Sequence, residues 1–584
     1  MSLLGGAARG ALLATTSVLA LASLTLVAPA GADPAVSVSS ADCPTAYAGS
    51  LTAGQTVHGL TVASGTTPDG FTGTVIGVMK QGIDLDTDMI VMKLDSPAIE
   101  DAGGIWEGMS GSPVYDDATG QLIGAVSYGL ASGASPIAGI TPYAAMQRLL
   151  PSAAPASVPV SGRLAARIGA AAHVAPADAD RLEPLAIPMS ISGVSAARVR
   201  RAAAEGVPVH TDLATGRIGN AADATGGTDD LAPASTLVAG GNLAAMMVYG
   251  DVAEGGIGTV TAVCDGGIVG FGHPLNDTGD AKVALMSADA VYVQPDPSAP
   301  FKVANLGVVA GTIAQDRTAG IAGTLGTGPA AASFTSTATY RGRTRTGTSY
   351  AADPDFWSDA AFYQAMSNGD AVAQATIPGG ATTSYTITGT DAKGVPFTVQ
   401  HSDHVVSGSD IAGDAAWPLG DLLSGIAGID GVRLGSVTTT ASYDDQRKPL
   451  RITGLQQRIG STWVTVGKKR PVRVRPGHSV RLQVVATAAD AAPTYVPTKL
   501  TAPRGSHGGG SVALVGGNTL DAMSDLMPPA FHDVATLQRY VAKLVGHDQV
   551  RVTTLVGAGK PRQVVLGPLD RVVAGRLSVP VVVG

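Results

Sequence analysis

A glycine-rich turn that contains two serines precedes an apolar run. The turn reads Gly108-Met109-Ser110-Gly111-Ser112-Pro113, and the later run QLIGAVSYGL predicts a strand. A serine hydroxyl is a weak nucleophile unless a neighbouring base removes its proton and backbone N–H groups stabilise the oxyanion. A tight glycine turn supplies such donors, so the pattern is typical either of a catalytic serine or of a plain β-turn.

A base would have to be one of ten histidines. His58 precedes the serine, and His273 follows an apolar strand in GGIVGFGHPLNDTGD, with Asp277 four residues later. Six further histidines are more typical of solvated or turn positions: His401, His404, His478, His507, His532 and His547. The pair of His401 and His404 is the nearest approach to a metal-ligand spacing, but such a strand pair is more often solvated. We therefore expect neither a metal site nor a cofactor.

The serine turn is similar to the nucleophile turn G-D-S-G-G-P of chymotrypsin-like peptidases, with Ser112 in place of a glycine. This similarity implies that Ser110 is the nucleophile and that the N–H groups of Gly108 and Ser110 form the oxyanion hole. The turn does not fit the G-x-S-x-G elbow of α/β-hydrolases, because that elbow requires glycine where Ser112 stands.

Composition limits the partners and indicates several domains. The chain has 584 residues, 45% hydrophobic and 14% charged, and this length exceeds what one core fills. A net charge of -8 without a block of lysine and arginine gives no electrostatic footprint for nucleic acid. With 76 glycines and 36 prolines between Val-, Thr- and Ser-rich runs, the chain is predicted to be mainly β.

The N-terminus has the features of a secretory signal peptide over residues 1–32. Arg9 precedes the apolar segment ALLATTSVLALASLTLVAPA, and Ala30-Gly31-Ala32 offers a small-residue cleavage site. The alternative is an uncleaved membrane anchor, since about 20 apolar residues can span a bilayer. We expect cleavage, followed by secretion or association with the cell envelope, and no later segment predicts a membrane span.

Cys43 and Cys264 are the two cysteines of the chain. Thiols outside the cytoplasm tend to oxidise, so a disulfide between them is expected, with two separate buried thiols as the alternative. Because Cys264 lies on the predicted strand that leads into the His273 turn, the bond would join the serine and histidine segments.

Two groups of segments together resemble the SpoIVB family of bacterial serine peptidases. The first lies within residues 43–150 and includes GTVIGVMKQGI and MIVMKLDSPAIEDAGGIWEGMSGSPVY. The second lies within residues 231–326 and includes GFGHPLNDTGD and GTIAQDRTAGIAGTLG. The GMSGSP and GH-x-x-x-D motifs are more specific together than either is alone. The resemblance implies chymotrypsin-like barrels and hydrolysis of a protein or peptide substrate.

Carried over by position, the family's nucleophile falls on Ser110, its general base on His273 and its acid on Asp95, with Asp277 as the alternative acid. In the sporulation peptidase the histidine segment precedes the serine segment, and a PDZ domain precedes both. Here the serine comes first and no PDZ domain is recognisable, so the halves are permuted. Geometry rather than chain order defines a triad, so activity would require the two halves to dock closely.

The expected fold class is mainly β, with two chymotrypsin-like β-barrel halves, a small α/β insert and β-sandwich-like C-terminal domains. In chain order the predicted regions are a signal peptide (1–32), a serine-bearing barrel half (33–162), a helical insert and flexible loop (163–230), a histidine-bearing barrel half (231–330), a sandwich-like region (331–505) and a small α/β region (506–584).

The leading hypothesis is an exported serine endopeptidase, and the alternative is a non-catalytic envelope module that uses the barrel scaffold to bind protein or glycan. A distance of about 3.5 Å or less between Ser110 Oγ and a ring nitrogen of His273 would favour the enzyme. A larger separation, or a buried serine, would favour the binding module.

Overall fold

The computed structural model describes residues 43–148, 158–175, 179, 181–185, 189–195, 197–200, 218–219, 231–446, 448–521 and 530–584. The predicted signal peptide and the predicted polar loop at 220–230 lie outside the described residues. The chain is mainly β, as predicted, with 51% strand and 16% helix.

Six strands close into an antiparallel barrel in the N-terminal region, which we call the serine barrel. They are β1 (Thr56–Thr61), β2 (Asp69–Asp84), β3 (Thr87–Asp95), β4 (Pro113–Asp116), β5 (Leu122–Leu130) and β6 (Ile137–Pro142). Pairing runs in the order β1-β2-β3-β6-β5-β4 and returns from β4 to β1. Strand β5 is buried along its whole length, as its apolar run LIGAVSYGL requires.

Short elements surround this barrel. They are α1 (Pro97–Ala102), α2 (Tyr143–Met146), β7 (Val158–Pro159), α3 (Gly162–Ala172) and β8 (Arg181–Pro184). Strand β8 pairs with β5, and β7 pairs with β8. Leu164 and Ile168 bury one face of α3 in a core shared with barrel strands.

A second ring of six antiparallel strands, the histidine barrel, follows in the chain. The strands of this region are β9 (Ser190–Ser192), β10 (Ile218–Gly219), β11 (Asn242–Gly250), β12 (Ala253–Cys264), β13 (Gly267–Gly270), β14 (Gly279–Gln294), β15 (Phe301–Arg317) and β16 (Gly320–Leu325). The ring runs β11-β14-β15-β16-β13-β12 and closes between β12 and β11. Strand β9 pairs with β12, and β10 pairs with β15.

The sheet of the histidine barrel continues beyond the ring. The added elements are β17 (Ala332–Tyr340), β18 (Arg343–Ala351), α4 (Trp357–Ala373), β19 (Gly379–Thr390), β20 (Pro396–Ser407), α5 (Ile411–Ala427) and β21 (Arg433–Asp444). Strand β18 pairs with the end of β11, which joins these strands to the barrel. The two helices pack against each other, and α4 also packs on β17 and β18.

The C-terminal region is a sandwich of two five-stranded sheets. Its elements are β22 (Leu450–Ile459), β23 (Thr462–Val466), β24 (Val472–Val474), β25 (Ser479–Thr487), β26 (Thr494–Thr501), β27 (Gly508–Gly516), α6 (Gly517–Asp521), α7 (Val534–Val541), β28 (Val550–Val556), β29 (Arg562–Leu566), β30 (Val573–Ala574) and β31 (Arg576–Val583). One apolar core contains side chains from both sheets, including Leu455 and Val552. The sandwich therefore combines strands from both sides of the boundary expected at residue 505. Across the described segments, no helix has both the length and the apolar character needed to cross a membrane.

A disulfide joins the start of the described chain to the histidine barrel. Cys43 is bonded to Cys264, and their Cα atoms are 4.7 Å apart. The bond predicted from the two cysteines is therefore present in the structure.

Candidate functional site

Strand β12 of the histidine barrel holds the serine turn of the other barrel. The backbone N–H of Thr259 donates to the carbonyl of Ser110 at 2.8 Å, and the Thr259 hydroxyl donates to the carbonyl of Gly108 at 3.1 Å. The Thr261 hydroxyl donates to the carbonyl of Gly111 at 2.8 Å. Three buried bonds from one strand thus fix the turn, which satisfies the polar groups that docking removes from water.

Each barrel also presents a glycine to the other at the point of closest approach. Gly111 has φ +96°, and a Cβ there would lie 1.9 Å from the carbonyl oxygen of Thr259. Gly272 has φ +74°, and a Cβ there would lie 2.0 Å from Ser127 Oγ. The carbonyl of Gly272 accepts a bond from the Thr141 hydroxyl at 2.6 Å. Only glycine fits both the backbone conformation and the space at these two positions.

This docking brings Ser110 and His273 together. Ser110 Oγ lies 2.9 Å from His273 Nε2, and the two residues are 0% and 2% exposed. His273 Nδ1 lies 2.9 Å from the carbonyl oxygen of Pro274. Because a carbonyl can only accept, Nδ1 carries the proton, and in a neutral ring Nε2 is then the acceptor for the Ser110 hydroxyl. The geometry is that of a serine poised to lose its proton to the ring.

A buried carboxylate organises the turn that carries the histidine. Asp316, at the end of β15, accepts bonds from the backbone N–H groups of Leu275 and Asn276, each at 2.7 Å. The residue is 2% exposed. Sequence reasoning did not select Asp316, although it lies in the segment GTIAQDRTAGIAGTLG; a lone aspartate between a predicted strand and a Thr-Ala-Gly turn was the available signal.

Burial controls the charge of the histidine. Loss of water around the ring lowers the pKa of His273 from 6.5 to about 4, against the opposing effects of the Pro274 carbonyl and the negative charge of Asp316. The ring is therefore neutral near pH 7 and can accept a proton. The same carbonyl and carboxylate would stabilise the charged imidazolium once the proton is transferred.

The backbone before the histidine has an uncommon conformation. Phe271 is buried and has φ +67°, a region that bulky residues rarely occupy, and its ring centroid lies 6.3 Å from that of His273. Such strain persists only where surrounding contacts determine it, and it is concentrated at functional sites.

The predicted oxyanion donors remain available in the turn. The N–H groups of Met109, Gly111 and Ser112 donate to backbone carbonyls. Within the described ranges, the N–H groups of Gly108 and Ser110 donate no hydrogen bond, and Gly108 has φ +94°. Two unused donors on either side of Met109 match the pattern expected of an oxyanion hole.

The structure does not bring either predicted acid to the histidine ring. Asp95 is exposed at the end of β3, where its carbonyl oxygen accepts a bond from Thr72 Oγ1. Asp277 is exposed, with φ +56° and a pKa raised by partial burial and by the nearby Asp316. The Pro274 carbonyl occupies the position at Nδ1 that a triad aspartate would take, because the histidine turn folds back on its own backbone.

The second serine and the first histidine lie in other environments. Ser112 is buried, and its hydroxyl donates to Thr61 Oγ1 at 2.9 Å. His58 is exposed on β1, with Nδ1 2.8 Å from an oxygen of Asp117. Neither side chain is hydrogen-bonded to Ser110 in the part of the chain that the structure describes.

The C-terminal histidines include a pair of neighbours at a separate cavity of about 440 Å³. His401 and His547 line this cavity together with Tyr385, Leu419 and further residues of α5 and the adjoining sheet. His547 Nδ1 is paired with Asp403, and burial lowers the pKa of His401. Among the described residues, the ligand groups close enough to share an ion are those of Cys43, Cys264 and Asp265, and the two sulfurs are bonded to each other.

Two docked antiparallel barrels, with a serine and a histidine hydrogen-bonded at their junction, have the architecture of chymotrypsin-like peptidases. Residues 32–141 match the family described as SpoIVB peptidase S55. The matched range contains Ser110 and Asp95 and ends before His273. The match supports a SpoIVB-type serine peptidase at the level of the family. No curated protein and no solved structure matches the chain.

Proposed function

We propose that the protein is an exported serine endopeptidase in which Ser110 is the nucleophile and His273 the general base. The observation that supports this proposal is the 2.9 Å bond between Ser110 Oγ and His273 Nε2 across the two barrels. The unused N–H groups of Gly108 and Ser110 beside it are the second support.

In the proposed reaction, Ser110 Oγ attacks the carbonyl carbon of a peptide bond while its proton passes to His273 Nε2. The oxyanion accepts bonds from the Gly108 and Ser110 N–H groups. The imidazolium returns the proton to the amine nitrogen as the C–N bond breaks, and water then hydrolyses the acyl-enzyme by the reverse sequence. The Pro274 carbonyl and Asp316 stabilise the imidazolium, so this site would work without a carboxylate bonded to Nδ1.

Export is part of the proposal and rests on two features of the chain. The disulfide between Cys43 and Cys264 is typical of proteins outside the cytoplasm. The first 32 residues have the composition of a secretory signal. Mass spectrometry of the mature N-terminus would test this, with a terminus near Asp33 expected.

The alternative, a non-catalytic binding module, has one specific observation in its favour. Ser110 is 0% exposed, so the described structure offers a substrate no direct access to the hydroxyl. A peptidase must expose this serine in at least one state, whereas a binding module need not.

Labelling with a fluorophosphonate probe separates the two candidates. We expect wild-type protein to be labelled and Ser110→Ala to be unlabelled, because the probe reacts with an activated serine. Ser112→Ala is the matched control, since Ser112 is equally buried but bonded to Thr61, and it should retain labelling. Equal labelling of wild type and Ser110→Ala, or none of the wild type after prolonged reaction, would reject the peptidase.

A further inference from the structure

We propose that Arg181–Leu185, the internal strand, occupies the peptide-binding edge of the serine barrel, and that Leu185 fills the pocket for the side chain preceding the bond to be cut. This inference rests on the proposed function and names its substrate class: an extended peptide with an aliphatic residue at that position.

The internal strand adds to β5 as a substrate peptide would. Its register is Tyr128↔Pro184, Gly129↔Glu183 and Leu130↔Leu182, all antiparallel. Strand β6 lies on the other side of β5, and β4 pairs only with the first part of β5, from Leu122 to Ala125. The last residues of β5 therefore present an edge that pairs with the internal strand and not with β4, and such an edge is the requirement for recognition by strand addition.

The internal strand runs toward the serine. The N–H of Leu185 donates to the carbonyl of Ser127 at 2.9 Å. The preceding residue of β5, Val126, is already bonded to the serine turn, since it accepts from the Gly111 N–H at 2.8 Å. Because the pairing is antiparallel, each further residue of a bound chain would approach Ser110.

The histidine turn lies beside the same point of β5. A Cβ on Gly272 would stand 2.0 Å from Ser127 Oγ, so Ser127 contacts the residue that precedes His273. The residue bonded to Ser127 in a paired chain thus lies beside the stretch of β5 that contacts Gly111 and Gly272, the sequence neighbours of Ser110 and His273. Leu185 holds that position in the structure.

The side chain of Leu185 packs against the apolar cluster that contains Ile105, at the wall of a small cavity. The cavity has a volume of about 220 Å³. Its wall combines small and apolar residues with three polar ones: Ile105, Gly129, Leu130, Gly133, Ala134 and Pro300, and Glu107, Ser135 and Ser298. A Cβ on Gly129 would lie 2.9 Å from Leu185 Cδ2 and 3.6 Å from Ile105 Cδ1. The bare backbone of Gly129 therefore provides the space that Leu185 uses.

This arrangement accounts for a peptidase site with a fully buried serine. An incoming peptide must displace the internal strand. The apparent affinity for the peptide is therefore the intrinsic affinity multiplied by the fraction of molecules in which the edge is free. A substitution that weakens the packing of Leu185 should raise the affinity of the protein for a peptide and should also raise the rate of cleavage.

Peptide binding in a Ser110→Ala background tests the inference without requiring catalysis. The probe is a fluorescein-labelled peptide, RLEPLAIP, which copies residues 181–188. Anisotropy should show at least about tenfold tighter binding to Ser110→Ala/Leu185→Asp than to Ser110→Ala, because burial of a leucine contributes that much or more. The peptide RLEPDAIP should bind at least about tenfold more weakly than RLEPLAIP to the same protein.

The matched control is Leu85→Asp, since Leu85 is 82% exposed, and it should leave binding unchanged. Leu185→Ala is the milder variant to use if circular dichroism shows that Leu185→Asp is unfolded. Equal affinity in all folded variants, or equal binding of both peptides, overturns the internal strand as occupant. If peptide binding rises in the Leu185 variants but no protein with Ser110 intact is labelled by the fluorophosphonate, the peptidase proposal fails while the binding edge stands.

Discussion

The serine barrel and the histidine barrel are both rings of six antiparallel strands, but they are attached to the rest of the molecule in different ways. Among the residues that the structure describes, the serine barrel adds two short strands, β8 and β7, to its ring. In the histidine barrel, strand β11 pairs with β12 and β14 inside the ring and with β18 outside it. The barrel is therefore part of a sheet of thirteen strands. His273 is therefore built into the larger assembly, while Ser110 lies on the smaller unit, where β5 pairs with the internal strand.

The Ser110–His273 pair exists only while the two barrels are docked. Ser110 and the proposed oxyanion donors belong to one barrel, and His273 and Asp316 belong to the other. Substitutions at the pair should therefore affect chemistry, and substitutions at the barrel junction should affect docking.

The largest expected effect is the loss of activity when Ser110 or His273 is replaced. Ser110→Ala and His273→Ala should each lower kcat/KM on a peptide substrate by on the order of 10⁶-fold, and the double variant should lose little more, because the two act as one unit. Steady-state assays of the three proteins test this. Losses that multiply in the double variant would show that the barrels contribute independently.

Removal of the disulfide should be the largest effect on stability. The cysteines are 221 positions apart, so the chain-entropy relation gives up to about 5 kcal/mol of unfolding free energy. Urea unfolding of Cys43→Ser/Cys264→Ser, compared with oxidised wild type, measures the loss, and reduced wild type should unfold like the variant. Thiols that titrate in the native oxidised protein would contradict the bond.

The buried histidine should make stability depend on pH. The folded pKa of about 4 is below the unfolded value of 6.5, so the unfolded chain binds more protons between these values. The contribution is fully present above pH 6.5 and is lost as pH falls toward 4, by about 3 kcal/mol in total. Unfolding curves of wild type and His273→Asn should differ by this pH-dependent amount, with exposed His58→Asn as the control for loss of a histidine. A pH-independent difference would show that the ring is not buried in its neutral form.

Asp316 and Asp95 should differ in their effect on turnover. Asp316→Asn should lower kcat by about 10²-fold, less than the roughly 10⁴-fold typical of a triad aspartate bonded to the ring, because its charge acts on His273 from the turn. Asp95→Asn should change kcat little, since Asp95 is exposed and its backbone carbonyl is what accepts the Thr72 bond. The opposite result would restore Asp95 as the acid. Folding of both variants is checked by circular dichroism.

The smallest effect concerns one hydroxyl at the barrel junction. Thr141→Val keeps the shape of the side chain but leaves the buried carbonyl of Gly272 without its donor, at a cost of about 1–3 kcal/mol. Thr398→Val, on the exposed face of β20, is the matched control. A loss no larger than that of the control would mean that docking does not depend on this bond.

The sequence predicted the mainly β fold, the disulfide and the two residues that meet at 2.9 Å. These features depend on local turns, strand periodicity and the small number of cysteines. The orientation of the histidine ring was not predictable, because it depends on whether Nδ1 meets a carboxylate or the Pro274 carbonyl after docking. Asp316 and the internal strand were missed for the same reason: tertiary pairing, and not a local pattern, places them at the site.

The spacing of the central pair has a consequence for the protein during its synthesis. His273 follows Ser110 by 163 residues. At the usual elongation rate of about 5–20 residues per second, the ribosome finishes the serine turn roughly 10 to 30 s before it makes the base. Throughout that interval Ser110 has no histidine partner to accept its proton, so the proposed activity can begin only after the histidine barrel has been made and has docked.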